Sequence, residues 1–370
     1  MIGSAPHLAA DRAQRGRERS TGRTGVALGP LGLPWRARVL AITLGGLAIA
    51  AVALVAGLAS GSTTIAVTDV LGALTGTGSD ASRFIVVELR LPRAVAGIAV
   101  GLCLGLAGAL TQTFSRNPLA TPDILGVSSG ASAGAVAAIV LGGGGYSVGA
   151  SLLGFGIPVV ATAGGLAAAA LVYGLAWRGG VDSYRIILIG IGVTASLGAV
   201  TSYLLVRAQI TQATAASQWL VGSLSGVSWA SVWPMLLALA VVVPVALAQS
   251  SPLAISQLGD EFATGLGVPL QRHRLVVIAA AVVLTSAAVS AAGPVEFVAF
   301  VAPQVARRLA GTARPPLLAS ALVGGVLVTT ADVAARTLFP GELPVGILTV
   351  VIGAPYLIWL LARPRRLEAA

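Results

Sequence analysis

From its N-terminus onward the chain alternates long apolar runs with short polar breaks that carry arginine, glycine and proline. A helix needs roughly 20 apolar residues to cross a bilayer. Runs of that order are Val39–Ala59, Leu91–Phe114, Leu152–Trp177, Ile186–Val206, Val232–Gln249, Leu275–Ala292, Pro316–Ala335 and Leu343–Leu361. Two shorter runs, 126–142 and Val295–Ala310, bring the expected spans to ten. Thr63–Gly76 is too short and too polar to cross and suits a surface helix. Trp219–Trp229, with its glycines, serines and two tryptophans, reads as an interfacial helix between spans. The pattern predicts an all-α polytopic membrane protein, with a ten-helix domain over 39–363 behind a polar tail over 1–38.

Within this pattern the stretch Arg90–Gly134 stands out. Gly97, Gly101 and Gly105 recur every fourth residue, and Gly126, Gly130 and Gly134 repeat the spacing after a polar turn. In a helix this spacing stacks the glycines on one face and lets two backbones approach closely, as membrane helices do. The turn between them, Asn117–Pro122 (NPLATP), holds two prolines that fix its path and an asparagine that can cap backbone groups. A rigid loop without a transport role would look the same.

Composition agrees: 56% of residues are hydrophobic and only 10% charged, against roughly 25% charged in soluble domains. The single cysteine, Cys103, excludes a disulfide framework, and no Cys/His cluster has metal-ligand spacing, so no metal or other cofactor is expected. All 23 basic residues are arginine. A phosphate-binding loop of the GxxxxGK[ST] type needs its lysine, so this chain is not itself an ATPase, and an ATP-driven process requires a partner.

The arginines are scattered between spans with few aromatics beside them, which argues against nucleic acid and for a charge bias across a bilayer. With the N-terminus cytoplasmic, 18 of the 23 arginines fall on the inner side and five, Arg83, Arg90, Arg93, Arg207 and Arg336, on the outer side. Both termini are then cytoplasmic. Residues 1–38 read as a disordered tail; a cleaved signal peptide would place its apolar core much nearer Met1.

Candidate chemistry is sparse. His7 and His273 lie in the tail and in a cytoplasmic loop, and only Glu296 and Asp332 fall in or near spans, towards their ends. Gradient-driven carriers use intramembrane ionisable groups, so this scarcity disfavours secondary transport; a structural scaffold would have no use for a gated turn or outer arginines. Arg90 and Arg93 flank Pro92 at the outer end of the second span, and Arg336 closes the ninth. Snorkelling to headgroups would place them there, and so would an acidic partner docking from outside. The longest cytoplasmic connection, 251–273, contains LGDEFATGLG. Leu258, Phe262 and Leu266 fall at i, i+4 and i+8 and give a short helix one apolar edge. Asp260 and Glu261 suit its N-terminal dipole, and Gly265 and Gly267 can end it. Such an edge fits either a helix lying on the bilayer or a docking element for a cytoplasmic partner.

These residues resemble the permease subunits of type II ABC importers for iron–siderophores, haem and cobalamin. The matching stretches are LRLPR, RNPLATPDILGVSSGAS, WLVGSLSGVSW, LGDEFATGLGV, AAGPVEFVAFVAPQVARRLAG and ADVAARTLFPGELPVGILTVVIGAPYLIWLL, in the family's order from about residue 40 to residue 363. The resemblance implies a ten-span subunit in the bacterial cell membrane, paired with a copy or a paralogue, with the substrate path along the subunit interface. It implies two cytoplasmic ATPase subunits and an external substrate-binding protein. It assigns Arg90, Arg93 and Arg336 to binding-protein docking, and Asn117, Pro118 and Leu119 to the cytoplasmic gate. The loop near Gly179–Asp182 would supply the other part of that gate. Leu258, Gly259, Asp260, Glu261, Phe262, Ala263, Leu266 and Gly267 would dock the ATPase. The expected function is import of ferric siderophores, with haem or cobalamin as the alternative cargo. Many relatives have Pro–His where this chain has Pro303–Gln304, which removes a titratable group and keeps a hydrogen-bonding one.

Overall fold

The computed structural model describes residues 25–28, 31–34, 37–61, 64–142, 156–339 and 341–362. Within the expected tail, Gly25–Leu28 (β1) pairs antiparallel with Leu31–Pro34 (β2); the rest of the tail up to residue 36 lies outside the described residues. Everything else is helical: α1 (Ala37–Ala59), α2 (Val67–Thr75), α3 (Asp80–Arg83), α4 (Leu91–Phe114), α5 (Val127–Leu141), α6 (Gly156–Ala176) and α7 (Ser183–Arg207). There follow α8 (Ile210–Leu220), α9 (Trp229–Ala248), α10 (Ser250–Ser256), α11 (Asp260–Gly265), α12 (Leu270–Ala292), α13 (Val298–Ala310), α14 (Leu317–Thr337) and α15 (Val345–Ala362).

Seven of these segments are long and apolar enough to cross a membrane, and α5 and α15 are shorter apolar helices. The ten expected spans therefore all have a helical counterpart, two of them short: α5 has 15 residues, about 22 Å, less than the roughly 30 Å hydrocarbon core. Helix α13 has 13 residues, about 20 Å at 1.5 Å per residue, and cannot cross a hydrocarbon core of about 30 Å alone. It is preceded by the irregular stretch Gly293–Phe297, with Gly293 at φ 70° and Phe297 at φ 64°. Val295 and Val298 in this region are buried, which fits the rule that non-helical backbone at membrane depth is surrounded by protein. The interfacial helix expected over Trp219–Trp229 is shifted: α8 ends at Leu220 and the tryptophan stretch is largely a loop, broken at Gly222 and Gly226, both at positive φ.

Helix α4 is the axis of the molecule. The span that contains it is 83% buried, whereas only 11% of the α1 span is. It packs most extensively on α14, then on α12, α13 and α9. Its glycines make this possible. A side chain at Gly101 would overlap the Gly324 backbone of α14, and one at Gly105 would overlap Ser320. Gly108 meets α13 for a different reason. Pro303 lacks the N–H that would bond the Ala299 carbonyl, and that carbonyl rests against Gly108. The second glycine series does the same between α5 and α6, where Gly130 and Gly164 face one another.

The connections sort into two ends. At one, the C-terminus of α1 meets the start of α4, the end of α14 and the loop before α15. At the other, the turn after α4 meets α11 and α13, and the loop before α7 meets α12. Each set joins only connections that the ten-span reading places on one side.

Candidate functional site

Both ends of α4 carry an arginine–aspartate–arginine triad. At the first end the chain enters through a π-helical turn, Phe84–Arg90, in which the Leu91 N–H bonds the Val86 carbonyl. Such i→i+5 turns recur at functional sites. Pro92 follows at once in the first turn of α4, where it has no N–H to give the preceding turn, and the Trp229 indole N–H reaches the Val87 carbonyl there at 3.3 Å. Arg93 then reaches Asp332 of α14, donating from Nε at 3.2 Å and Nη2 at 3.0 Å to Oδ1. Arg336, one turn further along α14, takes the other oxygen, Oδ2, at 3.0 Å.

The same guanidiniums finish α1. Arg336 Nη1 donates to the Gly57 and Ser60 carbonyls, and Arg90 Nη1 donates to Leu58 and Ala59 at 2.8 and 3.2 Å. These are the carbonyls that a helix C-terminus leaves without intrahelical partners. The Asp332 and Arg336 side chains are 4% and 5% exposed. Glu342, 52% exposed, accepts from Arg93 at 2.8 Å and from the Ser225 hydroxyl at 3.1 Å. The Arg93 hydrogen bond, more than opposing desolvation, holds the Glu342 carboxyl below the usual range. The three arginines expected to face an external partner are thus brought together, but inward. Asp332 and Glu342 are the site residues that the sequence left unassigned.

At the other end, Arg116 leaves α4 in the left-handed region at φ 52°. The turn that follows is fixed bond by bond: Asn117 Oδ1 accepts from the Leu119 N–H at 3.0 Å, and the Ala120 N–H reaches the Asn117 carbonyl. Pro118 presents its carbonyl to Gln304 Nε2 at 2.9 Å, and the same nitrogen donates to Gln112 Oε1 at 2.6 Å. Gln112 in turn donates to the Phe300 carbonyl at 3.1 Å. Gln304 is fully buried, and its Nε2 faces two acceptors, which fixes the amide's orientation. The glutamine at this position therefore latches the turn to α13. Leu119 remains 43% exposed.

Beside this turn lies the expected docking loop. Gly259, at φ 114°, begins α11, and Gly267, at φ 82°, follows it. Leu258, Phe262 and Leu266 are 64%, 68% and 63% exposed, while Ala263 on the opposite face is fully buried. Glu261 is exposed and points no ion pair at any described residue. Asp260 does more than suit the helix dipole. Its Oδ1 accepts from Arg116 at 2.5 Å and its Oδ2 from Arg274 of α12 at 2.6 Å. Arg274 also donates to the Val181 carbonyl at 2.8 Å, and Gln271 Oε1 accepts the Val181 N–H. The 179–182 loop, the turn after α4 and α11 are thereby joined through one carboxylate. Partial burial pushes Asp260 up, but its bonds and charges from Arg116 and Arg274 outweigh this and hold it below the usual aspartate range.

Comparison with known proteins agrees with this architecture. Residues 48–363 match the FecCD transport family. The chain is 40% identical to the ferric enterobactin transport system permease protein FepG of Escherichia coli (strain K12), over 84% of this chain and 92% of that one. It is 40% identical to the cobalamin import system permease protein BtuC of Halobacterium salinarum, over 78% of this chain and 76% of that one. A solved structure described as an inward-facing metal-chelate type ABC transporter superposes with a TM-score of 0.75 at 27% identity, covering 87% of this chain and 99% of that one. The chain therefore belongs to the FecCD transport family.

Proposed function

We propose that this chain is the membrane-spanning subunit of an ATP-driven importer that moves ferric siderophores into the cytoplasm. The observation that carries the ATP-driven reading is the Leu258–Phe262–Leu266 edge, three large apolar side chains exposed on a helix that is tied by Asp260 to the turn after α4. This edge lies at the arginine-rich end, which the positive-inside bias makes cytoplasmic, with both termini. A separate pair of ATPase subunits docks there, since a chain without lysine has no phosphate-binding loop of its own. Asn117, Pro118 and Leu119, with the 179–182 loop, form the cytoplasmic gate of a path that runs between two such subunits.

The outer cluster serves an external binding protein. Three arginines face two carboxylates there, so the cluster keeps a net positive charge. Glu342, the half-exposed carboxylate, is the one that an acidic side chain of the partner displaces from Arg93, while Arg90 and Arg336 hold the platform. The siderophore cargo is supported by the enterobactin relative. A cobalamin cargo is the second reading, favoured by the equally identical cobalamin relative.

The test is uptake in proteoliposomes holding the permease, its ATPase and its binding protein. Labelled ferric siderophore should enter only with ATP, and cobalamin should not compete. Competition by cobalamin reassigns the cargo. Uptake driven by an ion gradient without ATP contradicts the proposal.

A further inference from the structure

The apolar edge of α11 accounts for docking, but not for how a push at that edge reaches the gate. Helix α11 is six residues long and is set between two glycines at positive φ, Gly259 and Gly267. Its buried face contributes Ala263, a small side chain with little grip. Its polar ties to the rest of the molecule are concentrated on one group. Asp260 gives one oxygen to Arg116 and the other to Arg274. Arg116 precedes Asn117 directly, so a displacement of its guanidinium acts on the turn through a single residue. Arg274 bonds the Val181 carbonyl, so the same displacement acts on the 179–182 loop.

Two further observations point the same way. Arg116 is one of two non-glycine residues at positive φ among the described residues. A residue held in that region persists only where its surroundings over-determine it, and such positions cluster at switch regions. The neighbouring Gln257 donates to the Thr113 carbonyl at 2.7 Å, so the last turn of α4 is gripped from the same segment. The Arg116 arm of the bridge is exposed, with the Arg116 and Asp260 side chains 40% and 45% exposed, while Arg274 on the other arm is 13% exposed. A pairing in that setting can break and re-form, unlike one sealed in the core.

We infer that the Arg116–Asp260–Arg274 triad is the joint through which the ATPase-docking helix moves both cytoplasmic loops together. Asp260 is here a positioning residue, and the inference rests on the ATP-driven reading above. Asp260→Asn keeps the shape and removes the charge that holds both arginines. Arg116→Asn removes the guanidinium while tolerating the left-handed backbone.

The measurement is the ratio of cargo imported to ATP hydrolysed by the full reconstituted complex, together with co-purification of the ATPase. Asp260→Asn and Arg116→Asn should each lower the ratio by at least about fivefold, in the range of typical coupling between sites. The double variant should be no worse than Asp260→Asn, which already breaks both arms of the bridge, including the one that Arg116 supplies. Arg116→Lys, which keeps the cation, should restore most of the ratio. Losses that multiply in the double variant would overturn the inference, as would a ratio unchanged in both single variants. So would loss of ATPase co-purification in Asp260→Asn alone, because Asp260 would then be a direct contact. If the unaltered complex shows no ATP-dependent import, the functional reading has failed and not merely the joint.

Discussion

The two ends of α4 hold the same three groups in opposite settings. At the N-terminal end of α4, Asp332 is sealed between Arg93 and Arg336, and the arginines also cap the carbonyls of α1. At its C-terminal end, Asp260 lies between Arg116 and Arg274, itself half-exposed, on a short helix with an exposed apolar edge. Burial decides what each can do. A buried carboxylate between two cations cannot be removed without leaving charge unpaired in a poorly solvated site. An exposed one adds little to stability and is free to be a movable contact. The Asp332 triad thus fixes the ends of three helices, and the Asp260 triad joins the segments that the proposed coupling moves.

The sharpest way to break this comparison is to neutralise each aspartate in turn. Asp332→Asn should destabilise the purified permease by about 3–5 kcal/mol, the usual cost of removing one partner from a buried pair. Asp260→Asn should cost about 0–1 kcal/mol. Thermal unfolding midpoints in detergent compare the two directly, and equal shifts would dissolve the distinction.

A smaller effect is expected at the latch. Gln304→Leu removes the donor for the part-buried Pro118 carbonyl and for Gln112, leaving the buried Gln112 acceptor unpaired at about 1–3 kcal/mol. Hydrogen exchange at residues 117–120 should accelerate while exchange near Arg93 stays unchanged. Acceleration at both ends would mean that the latch serves the whole fold.

The smallest effect is that of pH. Asp260 and Glu342 are both held below their ordinary ranges by arginine. A depressed folded-state value gives stability that is present above the unfolded value, about 4 for these groups, and lost as pH falls through the folded value. Between about pH 5 and 8 neither group should contribute any slope to the unfolding midpoint. A slope in that interval that disappears in Glu342→Gln would show the carboxylate titrating where its arginine should keep it charged.

Much of this was legible in the sequence, for local reasons. Span lengths follow from apolar runs, and α4 begins at Leu91 and ends at Phe114 as the pattern predicts. Gly101, Gly105, Gly130 and Gly134 mark backbones that meet, whereas Gly97 faces side chains and Gly126 is a left-handed cap ahead of α5 rather than part of its face. The apolar edge of α11 follows from its i, i+4 spacing. What was hidden depends on contacts between distant positions. Arg93 and Asp332 are 239 residues apart, and Arg116 and Asp260 are 144 apart, so no periodicity pairs them. Arg90 reads as an outer charge, and only the placement of the α1 carbonyls shows why it turns inward. The shift of α8 had a readable signal: the Gln212 side chain accepts the Gln209 N–H, a capping contact, and Gly222 follows the helix end.

If the α11 edge is where the ATPase meets this subunit, as proposed, a thiol placed on that edge should report the contact. Cys103 is the chain's single cysteine and is fully buried, so Phe262→Cys would supply the accessible thiol. In membranes holding this variant, position 262 should react readily with a water-soluble maleimide and become protected when the ATPase subunit is added. Labelling that is unchanged by the ATPase, in a complex that still imports cargo with ATP, would contradict the account.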